Sequence, residues 1–206
     1  MLIAYIGDRG SGKSLSMVRN LFYRYKKGTT IYTNMNLKFP KFDGCGKVIA
    51  LDFKNFMEKF KKKDFKLSNC VVVLDEIHVF IDSRRSMSSR NLLFNKFITQ
   101  SRKRSVDVIY TTQDLNIMTF LRSGQVDLRT RKLTERIIYC KTATKFYKKQ
   151  KPIINYEDMI NPEKDKMYCM NYIYDTSGTM KSKSIFLGNS YMPYYDSDEI
   201  IDFFDF

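Results

Sequence analysis

The octapeptide Gly7-Asp8-Arg9-Gly10-Ser11-Gly12-Lys13-Ser14 constrains this chain more than any other stretch. It satisfies G-x-x-x-x-G-K-[ST] at every position. An apolar run, Leu2 to Ile6, leads into it, and a segment follows whose Leu15, Val18, Leu21 and Phe22 fall on one helical stripe. In a strand, glycine-rich turn and helix of this kind, backbone N–H groups turn inward around phosphate oxygens, and the positive end of the helix faces the same anion. Lys13 is then placed to reach the β- and γ-phosphates of a nucleotide, and the Ser14 hydroxyl to ligate Mg²⁺. Gly7, Asp8, Arg9, Gly10, Ser11, Gly12, Lys13, Ser14 and Leu15 are the expected nucleotide-binding residues, with ATP and Mg²⁺ as cofactors.

The rest of the chain supports one α/β architecture. A helix is expected over Lys13–Tyr25, ended by Gly28, then strands over Thr29–Met35 and Lys47–Leu51 and a basic helix over Phe53–Lys63. Cys70 to Leu74 is a continuous apolar run of strand length, as in a parallel strand covered on both faces. A polar loop over Asp82–Ser89, a helix over Arg90–Lys103, a strand over Val106–Thr112, a short helix over Asn116–Leu121 and a strand over Glu135–Cys140 follow. Alternation of this kind predicts a three-layer sandwich with a mainly parallel central sheet. Beyond Pro152 the texture changes. Met167–Tyr174 and Ser182–Leu187 flank a turn-like Asp175–Thr179 and predict a β-hairpin, and Tyr191–Phe206 is acidic and aromatic. The expected division is a core over residues 1–150 and an extension over residues 151–206. Charge follows it: 31 Lys+Arg against 12 Asp+Glu in the first part, 5 against 10 in the second.

Asp75 and Glu76 end the buried run Val71-Val72-Val73-Leu74. The carboxyl end of a parallel strand is where such sheets bind ligands, so Asp75 is the expected second Mg²⁺ residue. Glu76 is the expected general base that polarises a water toward the γ-phosphate. Gln113 ends the strand Val106–Thr112; if that strand lies between the other two, its amide reaches the γ-phosphate or the attacking water. His78 is read as structural. Arg102 and Arg104 close the preceding helix, where they either favour its C-terminus or, for Arg102, reach the ATP of a neighbouring subunit as an arginine finger. Arg84, Arg85 and Arg122 are weaker candidates. The lysines at 59, 61, 62, 63 and 66 form either a solvated face or a DNA-tracking patch.

Composition narrows the classes. Cys45, Cys70, Cys140 and Cys169 stand far apart with one histidine in 206 residues, which excludes an ordinary zinc site and gives no disulfide framework. No apolar run reaches bilayer length, and no basic region followed by a small-residue cleavage site precedes the first strand. A soluble intracellular protein is expected. A formal net charge of +14 favours a polyanionic partner.

With GDRGSGKS at 7–14, VVVLDE at 71–76, and Ser101-Arg102-Lys103-Arg104-Ser105 leading into VDVIYTTQ at 106–113, the chain resembles the FtsK–HerA group of P-loop ATPases over roughly residues 1 to 125. In that group's pattern Gln113 matches the glutamine after the acidic pair and Arg102 the arginine. The chain is similar to two branches. One is the zonular occludens toxin-like ATPase of filamentous phages, on Gly10 to Leu15, Thr33-Asn34, Asp107 and Thr112-Gln113; that branch usually carries a membrane-spanning segment. The other is the compact genome-packaging ATPase of turreted icosahedral viruses. The resemblance implies a sheet with an additional strand and a catalytic glutamate, and a homo-oligomeric ring of about five or six subunits. It further implies double-stranded DNA as partner, capsid or vertex proteins as possible contacts, and the host cytoplasm or the virion as location. The expected function is ATP-driven translocation of double-stranded DNA into a preformed capsid. The alternatives are virion assembly of the filamentous-phage type, a small nucleotide kinase, and a scaffold that binds ATP without useful turnover. The acidic, aromatic C-terminal segment is expected to dock on a neighbouring subunit or a capsid protein.

Overall fold

The computed structural model describes residues 1–62, 67–81, 88–113, 128–143 and 167–195. Among these residues eight strands form one sheet: β1 (Leu2–Ile6), β2 (Thr30–Thr33), β3 (Val48–Ala50), β4 (Cys70–Leu74), β5 (Val106–Thr112), β6 (Arg136–Ala143), β7 (Tyr168–Asp175) and β8 (Met180–Leu187). Their order across the sheet is β3-β2-β4-β5-β1-β6-β7-β8. The pairs from β3 through β6 are parallel, and β7 and β8 add to β6 as an antiparallel hairpin. The hairpin expected from residues 167–187 thus extends the same sheet as the core. Its turn closes on Asp175, whose Oδ1 accepts from the Ser177 and Thr179 amides and from the Ser177 hydroxyl.

Helices cover both faces, as continuous apolar strands require. Along β1, Leu2 and Ala4 point to one side and Ile3 and Tyr5 to the other; along β4, Val72 and Leu74 oppose Val71 and Val73. On the first face pack α2 (Phe53–Lys61), α3 (Ser89–Ser101) and, through Leu133, α4 (Leu128–Leu133). A lattice of aromatic rings joins Phe53 to Phe80 and Phe94, and Phe97 to Phe56 and Phe60. The second face carries α1 (Lys13–Lys26), with Met17, Val18 and Leu21 fully buried. Asp52 and Ser88 cap α2 and α3 by accepting from the amides of Asn55 and Asn91. Three cysteines are buried, and burial pushes the thiols of Cys70, Cys140 and Cys169 up to about 11, 12 and 11, so they stay protonated.

Two expectations change. The helix read through Lys103 ends as α-helix at Ser101 and tightens into a 3-10 turn over Arg102–Arg104. The C-terminal aromatic stretch also begins differently: Gly188–Tyr194 forms a 3-10 segment against its own α1, with Tyr194 stacked on Phe22 and Tyr191 edge-on to it. Lys38 donates its amide to the Tyr194 carbonyl, and Leu37 bridges Tyr195. Tyr191 and Tyr194 are half-buried and pack against the α1 side of the core, Tyr194 touching both Phe22 and Phe39. The short helix expected at 116–121, the loop 82–87, Lys63, Lys66, Arg84, Arg85 and Arg122 lie outside the described residues.

Asp107 ties α1 to the start of the sheet. Its carboxylate accepts from Arg24 at 2.6 Å and from the Met1 ammonium at 2.8 Å. Burial alone would raise its pKa, but these two donors outweigh burial and hold it below the ordinary carboxylate value. A depressed carboxyl stabilises the fold above its unfolded-state pKa, and that contribution disappears as the pH falls through the folded value. Asp107→Asn is therefore expected to cost about 1–2 kcal/mol at pH 7, with the difference closing in strong acid. Urea titrations of the two proteins at several pH values measure it.

Candidate nucleotide site

The central strand order makes the site. β5 lies between β4 and β1, so the loop after β1, the acidic pair after β4 and Gln113 after β5 emerge side by side at one edge of the sheet. The condition attached to Gln113 is met. A cavity of about 580 Å³ opens there, lined by Arg9 through Ser14, Glu76, His78, Val79, Gln113 and Tyr195.

The loop has a built geometry. Gly7 adopts φ +148°, and a Cβ there would lie 2.5 Å from Ser11 Oγ and 2.6 Å from the Cys140 carbonyl, so no other residue fits. Gly12 sits at φ +78° against Cys169 and Thr142 and begins α1 without a side-chain cap. The first amides of α1 are therefore left to an anion. Lys13 is buried, and its ammonium donates to the Gly7 and Asp8 carbonyls at 3.0 and 2.9 Å. Thr142 on β6 donates to the Gly10 carbonyl at 3.0 Å and props the loop from below. Asp8 contributes its carbonyl, while the Leu15 side chain is buried in the interior, and neither lines the cavity.

Asp75 faces Ser14: the hydroxyl lies 3.5 Å from both carboxylate oxygens. Thr111 on β5 donates a short hydrogen bond to Asp75 Oδ1 and accepts the Glu76 amide at 2.7 Å. Asn34, just past β2, clamps the Asp75 backbone from the other side, donating to its carbonyl at 3.1 Å and accepting its amide at 2.8 Å. Burial pushes the Asp75 carboxyl up to about 6, with Glu76 adding to the rise while Thr111, Lys13 and Ser14 oppose it. Glu76 occupies the left-handed region, φ +52°, ψ +52°, a strained conformation for a residue with a Cβ. Its Oε2 lies 3.1 Å from His78 Nδ1. That pair is out of line for a hydrogen bond, and both atoms, like Ser11 Oγ, are buried without a hydrogen-bond partner among the described residues.

These features test the expected ligands. Ser11 Oγ, the uncapped α1 amides and Lys13 suit phosphate oxygens. The hydroxyl and carboxylate of Ser14 and Asp75 are an all-oxygen donor pair, which suits a hard cation that keeps waters and takes phosphate oxygens as further ligands. No cluster of three His, Cys, Asp or Glu side chains capable of holding a metal occurs among the described residues, so the phosphates would complete the coordination.

Arg102 stands elsewhere. It precedes β5, hence lies at the opposite edge of the sheet from the phosphate loop of its own chain, about 20 Å away for a seven-residue strand. Its guanidinium pairs with Glu135 at 3.0 Å, and Glu135 also accepts the Leu2 amide. Three contributors escaped the sequence reading. Tyr195 enters the cavity from the C-terminal segment, a long-range placement without a local signal. Thr111 was legible only as part of a strand, and Asn34 only as part of the Thr33-Asn34 resemblance.

The comparisons agree with this arrangement. The family described as Zonular occludens toxin (Zot) matches residues 1–162. The gene 1 protein of Enterobacteria phage I2-2 is 29% identical over 153 residues, covering 68% of this chain; the chain spans 40% of that relative's length. The N-terminal domain of zonular occludens toxin from Neisseria meningitidis superposes with a TM-score of 0.57 at 16% identity, over 95% of this chain and 98% of that one. The genome packaging NTPase B204 from Sulfolobus turreted icosahedral virus 2, in complex with AMPPCP, gives 0.51 at 16% identity, over 87% and 95%. No described helix is long and apolar enough to cross a membrane. With its phosphate loop and Glu76 lining one cavity and β5 interposed between β4 and β1, the chain belongs to the zonular occludens toxin family and has the P-loop NTPase fold.

Proposed function

We propose that this domain hydrolyses ATP to drive phage assembly, acting on the phage genome. The observation that carries the reading is the convergence of Lys13, Ser14, Glu76 and Gln113 on one cavity, with Asp75 held behind Ser14 by Thr111 and Asn34. Mg²⁺, when bound, neutralises charge on the β- and γ-phosphates. Ser14 and Asp75 would hold it, Lys13 would leave the loop carbonyls for phosphate oxygens, and the loop amides would orient the triphosphate. Glu76 takes the proton of the attacking water, and Gln113 aligns that water or the γ-phosphate. Arg102 acts in trans, leaving Glu135 to reach the ATP of a neighbouring subunit in a homo-oligomeric ring.

The family match and the gene 1 relative favour the virion-assembly branch over capsid packaging. A basic core grips nucleic acid through its backbone phosphates, so double-stranded DNA translocation is the specific form proposed, with binding that weakens steeply as salt rises. Steady-state ATP hydrolysis with and without long DNA tests this. The expected result is turnover that rises several-fold with double-stranded DNA and loses that rise at high salt. Turnover indifferent to double-stranded DNA but stimulated by single strands would replace the substrate. Phosphate release only with a small phosphate acceptor would replace the motor with a kinase.

A further inference from the structure

Residues 196–206, DSDEIIDFFDF, combine five carboxylates with five large apolar side chains and contain no basic residue. The described structure holds a surface of the opposite character. Between α3 and α4 lies a predominantly apolar groove of about 790 Å³, floored by Leu92, Leu93 and Leu133 and edged by the exposed Lys96 and Lys132. Past Leu93 and Lys96 it continues into a second hollow of about 430 Å³ between α2 and α3, where Phe53 and Met57 are flanked by Lys54 and Lys61. Among the described residues lining either part, Glu58 is the one acid. Apolar floor and basic rim together call for a ligand that is apolar and acidic at once.

Connectivity selects the ligand. Tyr195, the residue before the acidic segment, lines the phosphate cavity. His78 and Val79 line both that cavity and the next hollow, and Ser89 and Arg90 line both that hollow and the α2–α3 groove. Among the described residues, hollows that share lining residues therefore lead from Tyr195 to the groove. Eleven residues, extended, reach about 36–40 Å, nearly twice the length of the thirteen-residue α3 at about 20 Å. We propose that segment 196–206 of the same chain docks in the α2–α3–α4 groove, its phenylalanines over the leucines and its carboxylates against Lys96 and Lys132. The docking needs no nucleotide chemistry and stands whether or not the domain is a motor. It assigns the groove to the chain's own C-terminal segment instead of a capsid protein.

The full chain carrying a photo-cross-linking benzoylphenylalanine in place of Phe204 tests this, with cross-linked peptides identified by mass spectrometry. The expected products join position 204 to peptides of α3 and α4. Lys96→Glu with Lys132→Glu should reduce them to background, and adding Asp202→Lys with Asp205→Lys should restore them. Both lysines are exposed, so circular dichroism of the double variant is expected to match the parent. Cross-links to other surfaces, or none, overturn the proposal, as does cross-linking that ignores the charge reversal. Mixing isotopically light and heavy chains separates the copies; products joining light to heavy would make a second copy the occupant and overturn docking within one chain.

Discussion

Replacing Glu76 with glutamine is expected to lower ATP turnover by about 10²–10⁴-fold while leaving nucleotide affinity within a few-fold of the parent. The substitution keeps the shape and removes only the basicity. What holds residue 76 in place is its backbone: the amide donates to Thr111 Oγ1, and the chain adopts its left-handed conformation from the turn after β4. Neither depends on the side chain. Phosphate contacts also remain, because Lys13, Ser14 and the α1 amides come from a different strand–helix junction. A fall in kcat with an unchanged Kd for a nonhydrolysable ATP analogue is the signature of a lost base. A parallel loss of affinity would mean that Glu76 holds the ligand and is not the base. Lys13→Ala should behave in the opposite way, losing affinity first, since its ammonium is the buried positive charge of the loop. Full turnover in Glu76→Gln would remove the general-base assignment.

How much of this was legible depends on how local each feature is. β4 was read to the residue because Cys70–Leu74 is a continuous apolar run, the trace of a strand buried on both faces, and β5 because Val106–Thr112 is β-branched or aromatic at every position but Asp107. The phosphate loop was legible because its chemistry is confined to eight consecutive residues. Strand order is not local: that β5 sits between β4 and β1 is the outcome of crossovers, and only then do Gln113 and Thr111 meet the acidic pair. α4 was missed because Leu128–Leu133 has three cationic side chains in six residues and no apolar stripe; Thr130 bonded to Asn95, and Thr134 bonded to Tyr110, anchor it on α3 and β5. Tyr191 to Tyr195 read as part of an acidic, aromatic segment that docks on a partner because the adjoining residues are acidic. Their partners, Phe22, Phe39 and Leu37, lie more than 150 residues earlier.

Asp75→Asn is expected to stabilise the ligand-free protein at neutral pH while abolishing its Mg²⁺-dependent affinity for nucleotide. Burial raises the Asp75 carboxyl from an ordinary 3.8 to about 6, and the donors around it, Thr111, Lys13 and Ser14, only partly offset that cost. A carboxyl that is a weaker acid in the folded chain than in the unfolded one makes the folded state bind more protons between about pH 4 and 6. Its ionised form therefore opposes folding above that window and has no effect below it. At about 1.4 kcal/mol per tenfold change in acidity, removing the charge should raise stability by up to about 3 kcal/mol near pH 8, and the gain should fade to nothing near pH 4. Asparagine keeps the acceptor for Thr111, and its backbone keeps both bonds to Asn34, so the comparison isolates the charge. Thermal unfolding of both proteins at the two pH values measures the effect, and equal midpoints near pH 8 would refute the cost assigned to the buried carboxylate. The position retains a destabilising charge because a divalent cation beside Ser14 turns the same desolvation into binding energy. Addition of Mg²⁺ and nucleotide should therefore raise the melting temperature of the parent protein and leave that of the asparagine variant nearly unmoved.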